Sequence, residues 1–295
     1  MKKNLYKIAS PFAGFLGKHP RLILSLKYYR SYHRKMNLRN PELFHDKIVW
    51  MSLFTDTSRW TELADKYAVR DYVKDIIGEK YLTKLYGVYH NPDEIDFDAL
   101  PNQFVLKTNN GCTSNIIVRD KSTLDIEDAK SKLRFWLKMP YGELSGQPHY
   151  TRISPRIIAE ELLVQPEAPG CSLFDYKFNC FNGIPVSCVA YPERKEGTHL
   201  MSKMIYDMDW NPHPEYYDAT KPVKLKSMPR PNSFEEMKII ASKLSEGFPF
   251  VRVDLYSIGD KPIFGELTFT PGIDAFYSLE YQKKLGDMIQ LPNKK

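Results

Sequence analysis

The sequence predicts an α+β protein built on antiparallel sheets, and three observations carry that reading. Strand-like and helix-like segments are interleaved, yet several strands return at once as hairpins, with no crossover helix between them. Residues 174–191 (FDYKFNCF–NG–IPVSCVAY) place Asn182-Gly183 between two β-rich runs, the strongest short hairpin signal. Residues 248–272 (FPFVRVDLYSIGDKPIFGELTFTPG) read as a second hairpin turning at SIGDKP.

In that second hairpin Val251, Val253 and Leu255 point one way and Arg252, Asp254 and Tyr256 the other. The return strand is expected to put Phe264, Glu266 and Thr268 on one face. Asp254 and Glu266 then meet across neighbouring strands with Arg252 beside them. Two readings fit: a Mg²⁺ site of hard oxygen ligands, or a solvated outer face with a surface ion pair.

The other elements follow in order. Residues 41–63 mix aromatic and polar groups and predict short helices. Val69, Tyr72, Val73, Ile76 and Ile77 keep helical spacing, with Gly78 as the stop. If the helix begins earlier than Val69, Lys66, Arg70 and Lys74 share its opposite face, as a solvated stripe or a ligand contact. YLTKLYGVY predicts a strand, and residues 91–101 a loop with a helical turn.

QFVLK (103–107) is a strand ending in Lys107, TNNGCTSN is a loop of small polar residues, and residues 115–120 are the next strand. Such a loop lays backbone N–H groups over phosphates, or simply joins a hairpin. Ile126, Ala129, Leu133, Trp136 and Leu137 mark a helix with Asp125 as N-cap. Residues 139–154 read as a mobile Gly/Pro-rich loop. Residues 156–164 form an apolar strand carrying Glu160 and Glu161, at least one of which must point into a polar site.

Asp175, Lys177 and Asn179 share a strand face. Residues 192–231 are rich in Pro, Lys and aromatics, with a strand around 204–206. Ser233 and Glu236 form a capping box, Met237, Ile240, Ala241 and Leu244 the apolar stripe of a helix, and Gly247 its end. A short helical tail follows Pro271. His149 and His199 are expected in surface loops.

Of 295 residues, 42% are hydrophobic and 26% charged, which fits a soluble globular chain. No apolar run approaches the ~18–20 residues that span a bilayer. Cys112, Cys171, Cys180 and Cys188 have no metal-like spacing and are expected to be free thiols in a reducing cytoplasm. The net charge of +6 is uneven: residues 1–40 hold ten Lys or Arg and no acid, leaving 32 basic against 36 acidic residues, or −4, in the rest. That arm also carries Leu5, Ile8, Phe12, Phe15, Leu16, Leu22, Ile23, Leu24, Leu26, Tyr28 and Tyr29. It lies on an anionic membrane surface or packs as a helix on the body. A slightly acidic body argues against nucleic acid.

Taken in order, LADKYAVRDYV, FVLKTNNG, RIIAEELL, DYKFNCFNG and GFPFVRVDLY…FGELTFTPG resemble the TupA-like family of the ATP-grasp superfamily, named for teichuronopeptide synthesis. The resemblance implies two α+β subdomains whose antiparallel sheets grip ATP. The basic N-terminal arm (1–40) lies outside the match; the layout expected after it is a helical lead-in (41–100), a subdomain with the phosphate loop (101–164) and one with the Mg²⁺ site (165–295). Lys107 would contact ATP phosphates, covered by Thr108, Asn109, Asn110, Gly111 and the loop to Asn115. Arg70 would be an earlier nucleotide contact, and Glu160, Glu161, Leu162 and Leu163 would line the adenine. Lys177 resembles the basic residue of the D-I-R motif, and Asp254 and Glu266 match Mg²⁺ carboxylates. Arg252 matches the arginine that steadies the transferred phosphate. Where many members end in E-x-N, Thr268 stands in the last place.

The implied activity is an ATP- and Mg²⁺-dependent ligase joining an amino acid to a uronic-acid carboxylate in a cell-envelope polysaccharide or its lipid-linked precursor. The expected location is cytoplasmic, peripheral at the inner face of the membrane. Two rival readings stand beside it. Asp207-Met208-Asp209 is a D-x-D of the kind that holds a sugar nucleotide in glycosyltransferases, and a non-catalytic nucleotide- or glycan-binding protein would need no turnover.

Overall fold

The computed structural model describes residues 13–165, 173–194, 201–273 and 276–294. Cys171 and His199 lie outside the described residues. In chain order the helices are α1 (Ala13–Lys18), α2 (Pro20–Tyr32), α3 (Phe44–Phe54), α4 (Ser58–Ala64), α5 (Val69–Ile77), α6 (Ile126–Leu137), α7 (Tyr141–Ser145), α8 (Phe234–Leu244) and α9 (Leu279–Asp287). The strands are β1 (Leu85–Tyr89), β2 (Phe104–Thr108), β3 (Asn115–Val118), β4 (Ile157–Glu161), β5 (Asp175–Phe181), β6 (Ile184–Arg194), β7 (Met201–Tyr206), β8 (Val251–Ile258) and β9 (Lys261–Thr268).

The chain forms two compact units. One takes the described residues up to Leu24, Thr57–Asp71 and Thr83–Leu162; the other takes Ser25–Asp56, Tyr72–Leu82 and the described residues from Leu163 on. Residues 41–100 are therefore shared by both units.

The first unit holds a four-stranded sheet in the order β1-β4-β2-β3, antiparallel throughout. Period-two alternation sends Phe104 and Leu106 of β2 and Ile157 and Ala159 of β4 into one core with Val118 and Leu133 of α6. The same alternation turns Lys107 and Glu160 to the other face. Asp125 caps α6 as expected, its carboxylate accepting from the Asp128 N–H at 2.9 Å.

Residues 139–154 are not a loop. They fold into α7 and a 3₁₀ turn at Pro148–Arg152, with His149 1% exposed. A side chain at Gly142 would collide with the backbone of Tyr150 and Thr151, so this glycine marks close packing and not mobility.

The second unit holds a five-stranded antiparallel sheet in the order β7-β6-β5-β8-β9. Asn182 and Gly183 have φ of 49° and 83° and make the tight β5–β6 turn that the sequence foretold. Helix α8 buries Phe234, Met237, Ile240, Ala241 and Leu244 against one face, where Phe234 stacks on Phe178 of β5 at 5.7 Å. The expected capping box at its start is not formed. Ser233 Oγ bonds Ser257 Oγ at 2.8 Å, and Glu236 accepts from the Tyr81 hydroxyl at 2.6 Å. Tertiary partners outcompete the local cap. Lys47 of α3 donates to the carbonyls of Gly286 and Ile289, both at 2.9 Å, tying α3 to α9.

Candidate active site

The face of the five-stranded sheet opposite α8 collects the charges. Lys177 on β5 lies directly opposite Asp254 on β8, and Asp254 opposite Glu266 on β9. Arg252 is opposite Thr268. Paired residues share a face, so one alternation on each of three strands delivers all five side chains to one place. Phe264, expected beside Glu266, is on the other face. A β-bulge between Asp254 and Leu255 pairs Leu255 with Phe264, leaves Gly265 over, and sends the Phe264 ring into the core.

The geometry is tight. Arg252 grips Asp254 with two parallel bonds, Nε to Oδ1 and Nη2 to Oδ2, each 2.6 Å. The same Nη2 lies 3.2 Å from Glu266 Oε1 and 3.0 Å from Thr268 Oγ1. Thr268 in turn donates to Glu266 at 2.9 Å. Lys177 Nζ is 2.5 Å from Asp254 and 2.7 Å from Asp175.

Burial opposes charge here and pairing restores it. Burial pulls the Lys177 pKa down, but the Asp175 and Asp254 carboxylates more than offset it, and the net shift is upward. Burial likewise works against Arg252, and Asp254 and Glu266 overcome it, so its pKa is raised. Asp254 ends above the usual carboxylate range, because desolvation outweighs the pull of Arg252 and Lys177. Both cations are charged at neutral pH.

Among the described residues no group of three or more His, Cys, Asp and Glu could hold a metal by itself. Mg²⁺ asks for less: one or two carboxylates, with water and phosphate oxygens completing its octahedron. Oxygens of Asp254, Glu266 and Thr268 converge within 3.2 Å of a single cationic nitrogen. Lys177 and Arg252 against Asp175, Asp254 and Glu266 leave the cluster one formal negative charge. A hard, convergent, net-negative donor set fits Mg²⁺.

The first unit carries a second cluster of opposite balance. Glu160 is buried and pairs with both Lys107 and Arg70, the latter at 3.2 Å. Arg70 also donates to the Thr83 carbonyl at 2.7 Å. Two cations on one carboxylate leave a net positive charge, which suits phosphate. Lys66 adds another by bonding the Gly111 carbonyl in the adjoining loop.

That loop is held from within, although it is poor in glycine. Asn109 is buried and its amide is fully engaged: it donates to Asp65 at 2.9 Å and to the Ser154 carbonyl at 3.0 Å, and accepts from the Arg156 N–H at 2.6 Å. Thr108 closes the loop onto Ser114 at 2.9 Å, and Asn110 reaches the Trp136 carbonyl at 3.4 Å. These three side chains shape the loop, while Cys112, Thr113 and Asn115 are exposed. Glu161 is exposed, and Leu162 and Leu163 are half-buried.

Two residues matter more than the sequence suggested. Asp175 was visible only as a member of the Lys177 face; it is buried and holds the ammonium. Asp65 carries an Asx turn, accepting from the Tyr67 N–H at 2.8 Å while it anchors Asn109. An Asp just ahead of a helix was the available signal. His149, expected at the surface, is buried. Burial and the Arg152 guanidinium push its imidazole down to about 3, so it is neutral and takes no part in acid–base chemistry at neutral pH.

The D-x-D is spent on a turn. Asp207 accepts from the backbone of Asp209 at 3.0 Å and of Asn211 at 2.8 Å, and from the Asn211 amide at 2.9 Å. Burial acts to raise its pKa, but bonds from Asn211, His213 and Asp209 prevail and bring it down to about 2.

Two antiparallel units, each with a cation–carboxylate cluster on a strand face, have the α+β layout of an ATP-grasp protein. The chain belongs to the family described as TupA-like ATP-grasp, which matches residues 46–290. No curated protein matches it. Among solved structures it is similar to the ATP-grasp ligase PsnB complexed with minimal precursor, at 12% identity over 81% of this chain and 66% of that one (TM-score 0.43). It is similar to D-alanine–D-alanine ligase from Bacillus anthracis complexed with ATP, at 14% identity over 77% and 63% (TM-score 0.43). The D-alanine–D-alanine ligase from Helicobacter pylori matches at 14% identity over 85% and 69% (TM-score 0.44). The chain spans just under two thirds of the length of the first two.

Proposed function

We propose that this protein is an ATP-dependent carboxylate–amine ligase that works through an acyl phosphate. Its substrates in this reading are an amino acid and the uronic-acid carboxylate of a cell-envelope polysaccharide or its lipid-linked precursor. Membership of the TupA-like ATP-grasp family supports the chemistry. The observation that carries it is the convergence of Asp254, Glu266 and Thr268 on the Arg252 guanidinium, with Lys177 alongside.

In the first step a substrate carboxylate oxygen attacks the γ-phosphorus of ATP and ADP leaves. In the second the amine attacks the acyl carbon and inorganic phosphate leaves. Phosphoryl transfer asks a protein for alignment and charge rather than for a covalent nucleophile. Asp254 and Glu266 would hold Mg²⁺, with the Thr268 hydroxyl in reach. When bound, that ion neutralises charge on the phosphoryl oxygens.

Arg252 and Lys177 are kept cationic by their buried carboxylates and offer donors to the transferring group. Lys107 exchanges Glu160 for phosphate oxygens, and Arg70 keeps Glu160 in place while it does. Asn109 fixes the loop before nucleotide arrives, so little ordering is left to do on binding. Of the four residues expected at the adenine, Glu160 is taken by Lys107 and Arg70 and Glu161 turns to the other face of β4, so Leu162 and Leu163 remain assigned to it. The commitment of Asp207 to its turn disfavours the glycosyltransferase reading.

Thermal unfolding tests the nucleotide assignment. MgATP at about 100 times its Kd stabilises the native state by about 2.7 kcal/mol, a rise of several degrees in Tm. ATP without Mg²⁺ gives a smaller shift, Lys107→Ala loses it, and UDP- and GDP-sugars give none. A shift with a sugar nucleotide alone would overturn the reading.

A further inference from the structure

Helix α2 is apolar on two opposite sides. Leu24 and Tyr28 are 6% and 0% exposed and anchor one side; the Tyr28 ring packs on Tyr32 at 5.0 Å and under the Arg34 guanidinium at 5.8 Å. Leu22, Leu26 and Tyr29, spaced i, i+4, i+7, form a stripe on the other side. They are 49%, 63% and 56% exposed, and Phe15 of α1 is 57% exposed. A stripe of large apolar groups standing in water is not needed to hold the helix down, because the opposite side already does that.

Helices α1 and α2 themselves carry charge of one sign, with Glu143 of α7 packed beside Gly17 of α1. Lys18, Arg21 and Arg30 are exposed in the same two helices, and residues 1–40 hold ten basic groups and no acidic one, while the rest of the chain sums to −4. Large apolar side chains flanked by basic ones on a short interfacial helix match the boundary between acyl chains and anionic headgroups. No helix of the described residues is long and apolar enough to cross a bilayer, so the contact is in the plane of the surface.

We infer that the exposed face of α2 docks the protein on an anionic lipid surface: Leu22, Leu26 and Tyr29 enter the headgroup boundary, and Arg21 and Arg30 meet lipid phosphates. A protein surface or a second copy of the chain would also cover apolar groups. The basic groups of α1 and α2 favour a polyanionic surface over a copy bearing the same groups. The inference does not depend on the ligase reading, since none of these residues belongs to the charged clusters described above.

Flotation of the full chain with vesicles tests it. One set is phosphatidylcholine alone and the other contains about one third phosphatidylglycerol. The native chain floats with the anionic vesicles in low salt, is released in high salt, and ignores the neutral ones. Removing two basic groups (Arg21→Gln with Arg30→Gln) lowers partitioning roughly thirtyfold. Leu22→Gln with Leu26→Gln lowers it more than about tenfold. All variants keep the native chain's cooperative thermal unfolding transition, which shows that they fold.

Equal binding to neutral vesicles, or variants that bind as the native chain does, would overturn the inference. So would a native dimer that Leu26→Gln turns into monomers and that leaves anionic vesicles alone; the stripe would then belong to a second copy.

Discussion

An Arg252→Ala variant turns over ATP at least about 10³-fold more slowly than the native chain, the loss expected when an arginine that stabilises a transferring phosphoryl group is removed. The reason lies in its position. Its guanidinium is locked by two 2.6 Å bonds to Asp254 and lies within 3.2 Å of Glu266 and Thr268, so its orientation is set before substrate arrives. The loss falls on kcat more than on KM, because a group aimed at developing charge contributes most in the transition state. Arg252→Lys restores little, since one ammonium cannot reproduce a planar two-point grip. Steady-state kinetics of the two variants, with Tm measured in parallel, check this. A lysine variant at near-native kcat would mean that Arg252 only balances charge.

Lys177→Met has its largest effect on stability. The side chain is mostly buried and sits between two buried carboxylates, 2.5 Å from Asp254 and 2.7 Å from Asp175. Deleting the cation takes the ammonium from Asp175 and leaves Asp254 to Arg252, and breaking a buried pair in this way costs about 3–5 kcal/mol. At about 2 °C per kcal/mol for a chain of this size, Tm falls by roughly 6–10 °C.

The sign of the pH response is fixed as well. Burial already holds the Asp254 pKa above its unfolded value, and Lys177 is one of the groups pulling it down. Without Lys177 it rises further, so at pH values between the unfolded and the folded Asp254 pKa the folded state binds more protons than the unfolded one. Stability then falls as pH rises through that interval. The variant is therefore rescued by acidification and weakens as pH rises. A Tm deficit that does not shrink on acidification would show that Lys177 acts through packing.

How far these clusters could be read from sequence depends on how local their causes are. Arg252, Asp254 and Glu266 sit on a hairpin whose alternation is visible within twenty residues, and Lys177 alternates on a strand announced by Asn182-Gly183. The bulge at Gly265 was not visible, because a glycine in a strand does not say whether it pairs or is skipped. That one residue moves Phe264 to the core face. Ser233 was misread for a related reason. The motif for a cap was present, but Ser257, twenty-four residues on, takes its hydroxyl.

Asn109 shows the same limit in the phosphate loop. Its amide is bound by Asp65 and by the backbone at 154–156, partners more than forty residues away on either side. Glu160 was recognisable as a buried acid in need of a partner; that the partners are Lys107 and Arg70 together required the register of β2 on β4.

Isotope transfer addresses the central claim most directly. Glucuronate and galacturonate labelled with ¹⁸O in the carboxylate are incubated with MgATP and each amino acid, and the ADP and inorganic phosphate are collected. A ligase working through an acyl phosphate releases ADP only with a matching uronic acid and amine, and one labelled oxygen passes from the carboxylate into the phosphate. ADP release with no label in the phosphate would contradict the acyl phosphate. Turnover of a sugar nucleotide with ATP left intact would contradict the ligase.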